Sequence, residues 1–169
     1  MDGLFIDCGG ANIVGVVAFS LGLTHREPSP CNRALAAEVR RIVLEQKSLG
    51  KTVVVVAQWE IAAGLALDMV ACSVRKHHNP DLYLDSNEVM AQAAKVFRER
   101  EVQEVIPVAN PFLHLWKCRK LVRQLGFTLV SKKIGWTGFC PQSIQWWDRG
   151  PLQLLLYSVL QKLSGRRGK

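Results

Sequence analysis

No apolar run in this sequence is long enough to cross a bilayer. The longest near the start, residues 13–23, has eleven residues where a spanning helix needs roughly 20. A basic stretch ahead of it is also missing, because Asp2 and Asp7 precede it, so no signal peptide is expected. The phosphate-loop pattern GxxxxGK[ST], the dinucleotide pattern GxGxxG, the nucleophile elbow GxSxG and the zinc helix HExxH are all absent. These absences remove the usual support for an NTPase, a dinucleotide-dependent enzyme, an α/β-hydrolase or a zincin. Cysteine is sparse. Five thiols with no CxxC pair make no disulfide framework and fit a reducing compartment, where they pack as small apolar residues. The expectation is a cytoplasmic protein without a transmembrane segment.

What is present reads as one folded domain over residues 1–169. An apolar content of 49% with 21% charge is ordinary for such a domain, and the length allows a sizeable core. The net charge of +8 raises the question of nucleic acid, but the basic residues are dispersed. Only the tail, residues 164–169, with Lys162 just before it, forms a local basic run, ending Arg166-Arg167-Gly168-Lys169. No interleaved aromatic platform accompanies these charges, so nucleic acid is not the expected partner.

Periodicity supplies the fold. Residues 12–20 are apolar on both faces, as a fully covered strand requires, and residues 52–57 contain four consecutive valines. Helical stripes follow at 33–47, 59–71 and 85–98, and short strands are expected at 82–84, 105–109 and 127–130. Residues 4–7 suggest an added edge strand. Asp85 followed by Glu88 has the form of a capping box. Between 105 and 126 a strand turns into a helix, with Asn110 placed to cap it, Pro111 at its first position and Gly126 at its end. Residues 135–150 are irregular and rich in tryptophan, and residues 151–163 form a closing amphipathic helix expected to pack across the sheet. Strands alternating with helices predict an α/β fold, a Rossmann-like three-layer sandwich with a mostly parallel sheet of about five strands.

A parallel sheet brings the turns after its strands to one edge, where open α/β sheets bind ligands. Ser20 ends the first long strand and Arg33 opens the next helix. Gln58 and Glu60 follow the valine strand. Asp85, Ser86, Asn87 and Glu88 start another helix, and Asn110, His114 and Lys117 belong to the one at 111–125. A cationic His114–Lys117 pair near a helix N-terminus would suit a phosphate or carboxylate. Cys72 with His77 and His78 lacks the second cysteine pair a metal site would need, so no metal is expected. Cys31 and Cys118 read as structural thiols.

The order of segments resembles the SanA/YdcF-like family, a domain of unknown function with a Rossmann-like fold. Phe19-Ser20-Leu21-Gly22 with Arg33, then Asp85-Ser86-Asn87-Glu88, then residues 110–114 followed by Lys117-Cys118 resemble its successive motifs. Ala57-Gln58-Trp59 stands where the family has a glycine pair, and Lys117 stands where it has an arginine. The resemblance implies a small-ligand site at the strand ends. One member type is associated with S-adenosylmethionine, which makes that cofactor a candidate. It supplies no catalytic activity.

Three functions are consistent with the sequence. The first is binding of an anionic or nucleotide-like small molecule at the sheet edge. The second is a hydrolase or transferase acting on a phosphorylated or nucleotide substrate, with His114 as general acid/base or as the anion's binding group and Asp85 or Glu60 orienting it. The third is an interaction module, a homo-oligomer formed through Trp136, Trp146, Trp147 and the helix at 151–163.

Overall fold

The apolar, β-branched segments pair with one another at the centre of the molecule. The computed structural model describes residues 12–24, 28–79 and 84–163. Strands β1 (Ile13–Ala18), β2 (Thr52–Gln58), β3 (Cys72–Val74), β4 (Glu104–Val108) and β5 (Thr128–Leu129) form one parallel sheet in the order β3-β2-β1-β4-β5. The register sets Val14 beside Val53 and Glu104, and Val17 beside Val56 and Pro107. Val14, Val16, Val17, Val56 and Ile106 have no exposed surface, which accounts for runs with no polar alternation.

Helices α1 (Pro30–Ser48) and α2 (Trp59–Ala62) pack together, as do α3 (Ser86–Glu99) and α4 (Leu113–Gln124). Right-handed crossovers put the two pairs on opposite faces, giving the three-layer α/β sandwich. Local chemistry sets the ends. The Ser29 hydroxyl accepts from Asn32 N at the start of α1, with Pro30 in the first turn. Gly126 follows α4 at φ 86°, a conformation other residues resist. Gly15 is required for a different reason: a Cβ there would lie 2.9 Å from the Phe97 ring. The ring is fully buried and meets Phe127 edge-on. Full burial of such a side chain contributes roughly 1.5–3 kcal/mol.

Several expectations change. The helix expected over 59–71 stops at Ala62. Gly64 lies where a Cβ would come within 3.0 Å of Ala36 on α1, and Ala71 N donates to Val55 O at 2.9 Å, drawing the chain into β3. The edge strand is therefore Cys72–Val74, while Leu84 belongs to no strand. The remainder of the strand expected at 82–84, and the one at 4–7, fall outside the described residues. Strand β5 is only two residues long, for a reason visible in β4. Val130 N donates to Val105 O at 3.0 Å, and the next bond on that side would come from the Pro107 nitrogen, which has no hydrogen.

The closing helix, α5 (Pro151–Leu163), does not lie across the sheet. It rests on the short 3₁₀ turn Trp146–Asp148, with Tyr157 stacked 4.5 Å from Trp147. Among its described residues no helix is long and apolar enough to cross a membrane.

Candidate functional site at the carboxyl edge of the sheet

From β1 the chain passes through α1 to β2 on one side, whereas β4 is entered on the other side through α3. The crevice between the carboxyl ends of β1 and β4 is thus the topological switch point of the sheet. Two consecutive residues at the end of β1 reach both flanks of it. Phe19 donates its N–H to Val108 O at 2.9 Å, and its ring meets His114 edge-on at 6.1 Å. Ser20 donates its N–H to Gln58 Oε1 at 3.0 Å, and its side chain hydrogen-bonds Glu60. The sheet edge therefore brings together Ser20, Gln58 and Glu60 on one flank and His114 on the other.

His114 is the second residue of α4, and its Nε2 lies 3.0 Å from the hydroxyl of Ser86, the first residue of α3. Its Nδ1 is enclosed without a partner. Burial, with Lys117 one turn away adding repulsion, pulls the imidazole pKa from 6.5 down to about 4. The ring is neutral at pH 7, which corrects the cationic His–Lys pair anticipated from sequence. The tautomer follows from the bonding. A buried N–H without an acceptor costs more than an unused lone pair, so the proton belongs on Nε2, pointing at the Ser86 oxygen. In that state Ser86 accepts rather than being deprotonated, the reverse of an activated nucleophile.

Glu60 is almost completely buried and its Oε2 has no partner. Burial pushes its pKa up, opposed by its own backbone N–H and by Ser20. The two flanks thus offer an unused imidazole lone pair and an unused carboxyl oxygen, each in a water-poor setting. Lys117 is half-buried on the same helix as His114, and its charge acts on the His114 ring.

The other anticipated residues have structural duties. Asp85 Oδ1 accepts from Asn87 N and Glu88 N at 2.9 Å each, and its Oδ2 accepts from Asn87 Nδ2 at 2.8 Å. That carboxylate occupies the N–H groups an anion would use at α3. The capping box is incomplete, because Glu88 Oε1 accepts from His78 N and Gln92 Nε2 instead of reaching back to Asp85. Arg33 is exposed and donates to Pro28 O at 3.0 Å, outside the cluster. Asn110 does not cap α4, which begins at Leu113 with Phe112 at the cap position. Fully buried, it donates from Nδ2 to Gly138 O at 2.6 Å and to Thr137 Oγ1 at 3.2 Å, and its Oδ1 accepts from Phe112 N at 3.1 Å.

Those bonds belong to a feature that sequence reasoning missed: the irregular segment after β5 returns over the end of β1. Asn32 accepts from Leu21 N at 2.8 Å and donates to Gly22 O at 3.1 Å. Asp148 Oδ2 accepts from Gly22 N at 3.0 Å, and Ser143 Oγ accepts from Leu23 N at 3.1 Å. Burial pushes the Asp148 carboxyl up to about 6, the Gly22 N–H opposing it. Asn32 carried a faint sequence signal, a polar residue three positions beyond the helix-capping Ser29. Asp148 carried none.

The thiols of Cys31 and Cys118 are as inert as their positions suggest. Burial pushes Cys31 up to about 11 and raises Cys118 still further. Among the described residues no three His, Cys, Asp or Glu side chains converge as a metal-binding group. A shallow depression of about 360 Å³ lies at the opposite edge, lined by residues including Arg98, Gln103 and Phe127. It opens at the amino ends of the strands, where parallel sheets do not ordinarily bind ligands.

No family model and no curated protein matches this chain. Among solved structures it is similar to the T882A variant of Rhizobium etli pyruvate carboxylase with the allosteric activator acetyl coenzyme A. That alignment has a TM-score of 0.37 and 16% identity, covering 71% of this chain and 11% of the other. The chain spans about a tenth of that protein's length, and so low a likeness carries no functional argument.

Proposed function

We propose that the protein binds a small anionic or nucleotide-like molecule in the crevice between the ends of β1 and β4. The observation that carries this reading is the pair of buried, unpartnered polar atoms on its two flanks, His114 Nδ1 and Glu60 Oε2. A folded protein rarely leaves such atoms unused, and a ligand supplying hydrogen-bond donors would satisfy both. Neutral His114 favours a donor-bearing part of the ligand, such as a hydroxyl or amine, with Lys117 the better match for its negative charge. The resemblance to the SanA/YdcF-like family adds S-adenosylmethionine to the ligands worth testing, and a cytoplasmic location agrees with that chemistry. Thermal denaturation with S-adenosylmethionine, common nucleotides and phosphosugars is the test. A ligand at a hundredfold excess over its dissociation constant stabilises by about 2.7 kcal/mol, a rise of roughly 5–10 °C at this size. The shift should vanish in His114→Ala, and a flat screen across all classes would refute the reading.

A second reading, hydrolase or transferase chemistry on a phosphorylated or nucleotide substrate, draws on the 3.0 Å Ser86–His114 contact. It requires the opposite tautomer, with an acceptor brought to Nδ1 by the substrate. Turnover unaffected by Ser86→Ala and His114→Ala would remove it.

A further inference from the structure

Helix α5 is turned inside out relative to an ordinary surface helix. Leu154, Tyr157, Ser158 and Gln161 share one face, and Leu154 is buried while Tyr157 lies against Trp146 and Trp147. The opposite face carries Leu152, Leu155, Leu156, Val159, Leu160 and Leu163, spaced i, i+3, i+4, i+7, i+8, i+11, which is one continuous helical stripe. All six are exposed, Leu152 at 76% and Leu163 at 79%. The helix thus presents its apolar face outward.

Charge decides what that face meets. From Arg149 to Lys169 the sequence has no aspartate or glutamate, while Arg149, Lys162, Arg166, Arg167 and Lys169 are basic. Pairing with a second copy would set cation against cation in either orientation, with no acidic residue on the segment to relieve it. An anionic bilayer surface matches both properties. The leucine stripe suits the acyl boundary, the basic character of the sequence suits anionic headgroups, and Trp146, exposed at the root of the helix, suits the interfacial level. At thirteen residues the helix is about 20 Å long, too short to span but able to lie flat. We infer that the outward stripe of α5, which lies in a stretch of basic sequence, is a peripheral docking surface for membranes rich in anionic lipid.

The test is co-sedimentation of the full chain with vesicles of phosphatidylcholine, with and without about 30% phosphatidylserine, at about 0.05 M and 0.5 M salt. Binding is expected to the anionic vesicles, weakened several-fold at the higher salt. Leu156→Gln with Leu160→Gln should lower it roughly tenfold or more, as should Arg166→Gln, Arg167→Gln and Lys169→Gln together. Circular dichroism checks that the leucine variant folds, and the basic variant tests the charge component without altering the apolar stripe. Failure to bind either vesicle, equal binding to neutral ones, or a leucine variant that binds like the wild type would overturn the inference. A concentration-dependent dimer lost in the leucine variant, without vesicle binding, would assign the stripe to a second copy instead.

Discussion

Replacing Gly22 by alanine should be among the more damaging single-methyl additions in the molecule. Gly22 has φ 81°, and an added Cβ would sit 2.5 Å from Cys140 Cβ, where carbon atoms prefer about 3.5–4.0 Å. The backbone cannot easily move aside. Gly22 N is held by Asp148 and Gly22 O by Asn32, so a displacement of about 1 Å would break one of two buried hydrogen bonds. The left-handed conformation costs an L-residue about 1–2 kcal/mol, and overpacking adds about 1–3 kcal/mol. The sum, about 2–5 kcal/mol, corresponds to a melting temperature lowered by roughly 4–20 °C at this chain length. Gly138→Ala is the control, because Gly138 has a similar φ of 74° with nothing within 4 Å of an added Cβ. It should lose only the conformational part. A double-mutant cycle of Gly22→Ala with Cys140→Gly isolates the contact and should return a coupling of about 1–3 kcal/mol. Equal losses in the two alanine variants, with no coupling to Cys140, would refute the packing account of the returning segment.

Asp148 predicts a pH-dependent gain. Its pKa is raised from 3.8 to about 6 on folding, so its protonated form favours the native state below about pH 4, and that contribution is lost as pH rises through 6. Asp148→Asn keeps an acceptor for Gly22 N and should therefore raise the free energy of unfolding at pH 8 by up to about 3 kcal/mol, read by denaturant titration, while changing little at pH 4; an equal gain at both would contradict it. His114, held near 4, has the opposite slope, so variant and wild type must be compared at each pH. Asn110→Asp should cost about 2–4 kcal/mol, because a carboxylate cannot donate to Gly138 O, and limited proteolysis should then cut within residues 134–148. A variant as stable and as resistant as the wild type would show that this segment is not held through Asn110.

Much of the fold was legible because its physical causes are local. Valine runs without polar alternation specify strands covered on both faces, and three long segments of helical periodicity specify the layers. The misses have local causes too, but ones that act across the sheet. Gly64 shortens α2 because it must approach α1, and β3 exists because Val55 offers an acceptor to Ala71, neither of which periodicity records. At the carboxyl edge of the sheet, the sequence named Ser20, Gln58, Glu60, Ser86 and His114, which the structure places there. It could not distinguish a polar residue that binds a ligand from one that holds a loop. That distinction depends on where each hydrogen bond goes, and Thr137, Ser143 and Asp148 reach the site from a segment with no regular pattern.

Sorting the edge residues by unmet hydrogen-bonding capacity separates scaffold from site. Asp85, Asn32 and Asn110 use both polar side-chain atoms internally, and each fixes a backbone turn. Their convergence is what a rigid strand edge requires, and it would exist whether or not a ligand bound. His114 and Glu60 differ, because each engages a serine with one atom and leaves the other enclosed and unused. Leaving a buried polar atom unpaired costs on the order of 1–3 kcal/mol, and two such positions on either side of the switch point support the proposed binding. The neutral state that burial sets on His114 also narrows the chemistry. An imidazole held near pKa 4 is a weak base and no cation at pH 7, so it orients a bound donor better than it neutralises a phosphate. A ligand that joins a donor-bearing head to an anionic portion near Lys117 would use each group in the state that its surroundings impose.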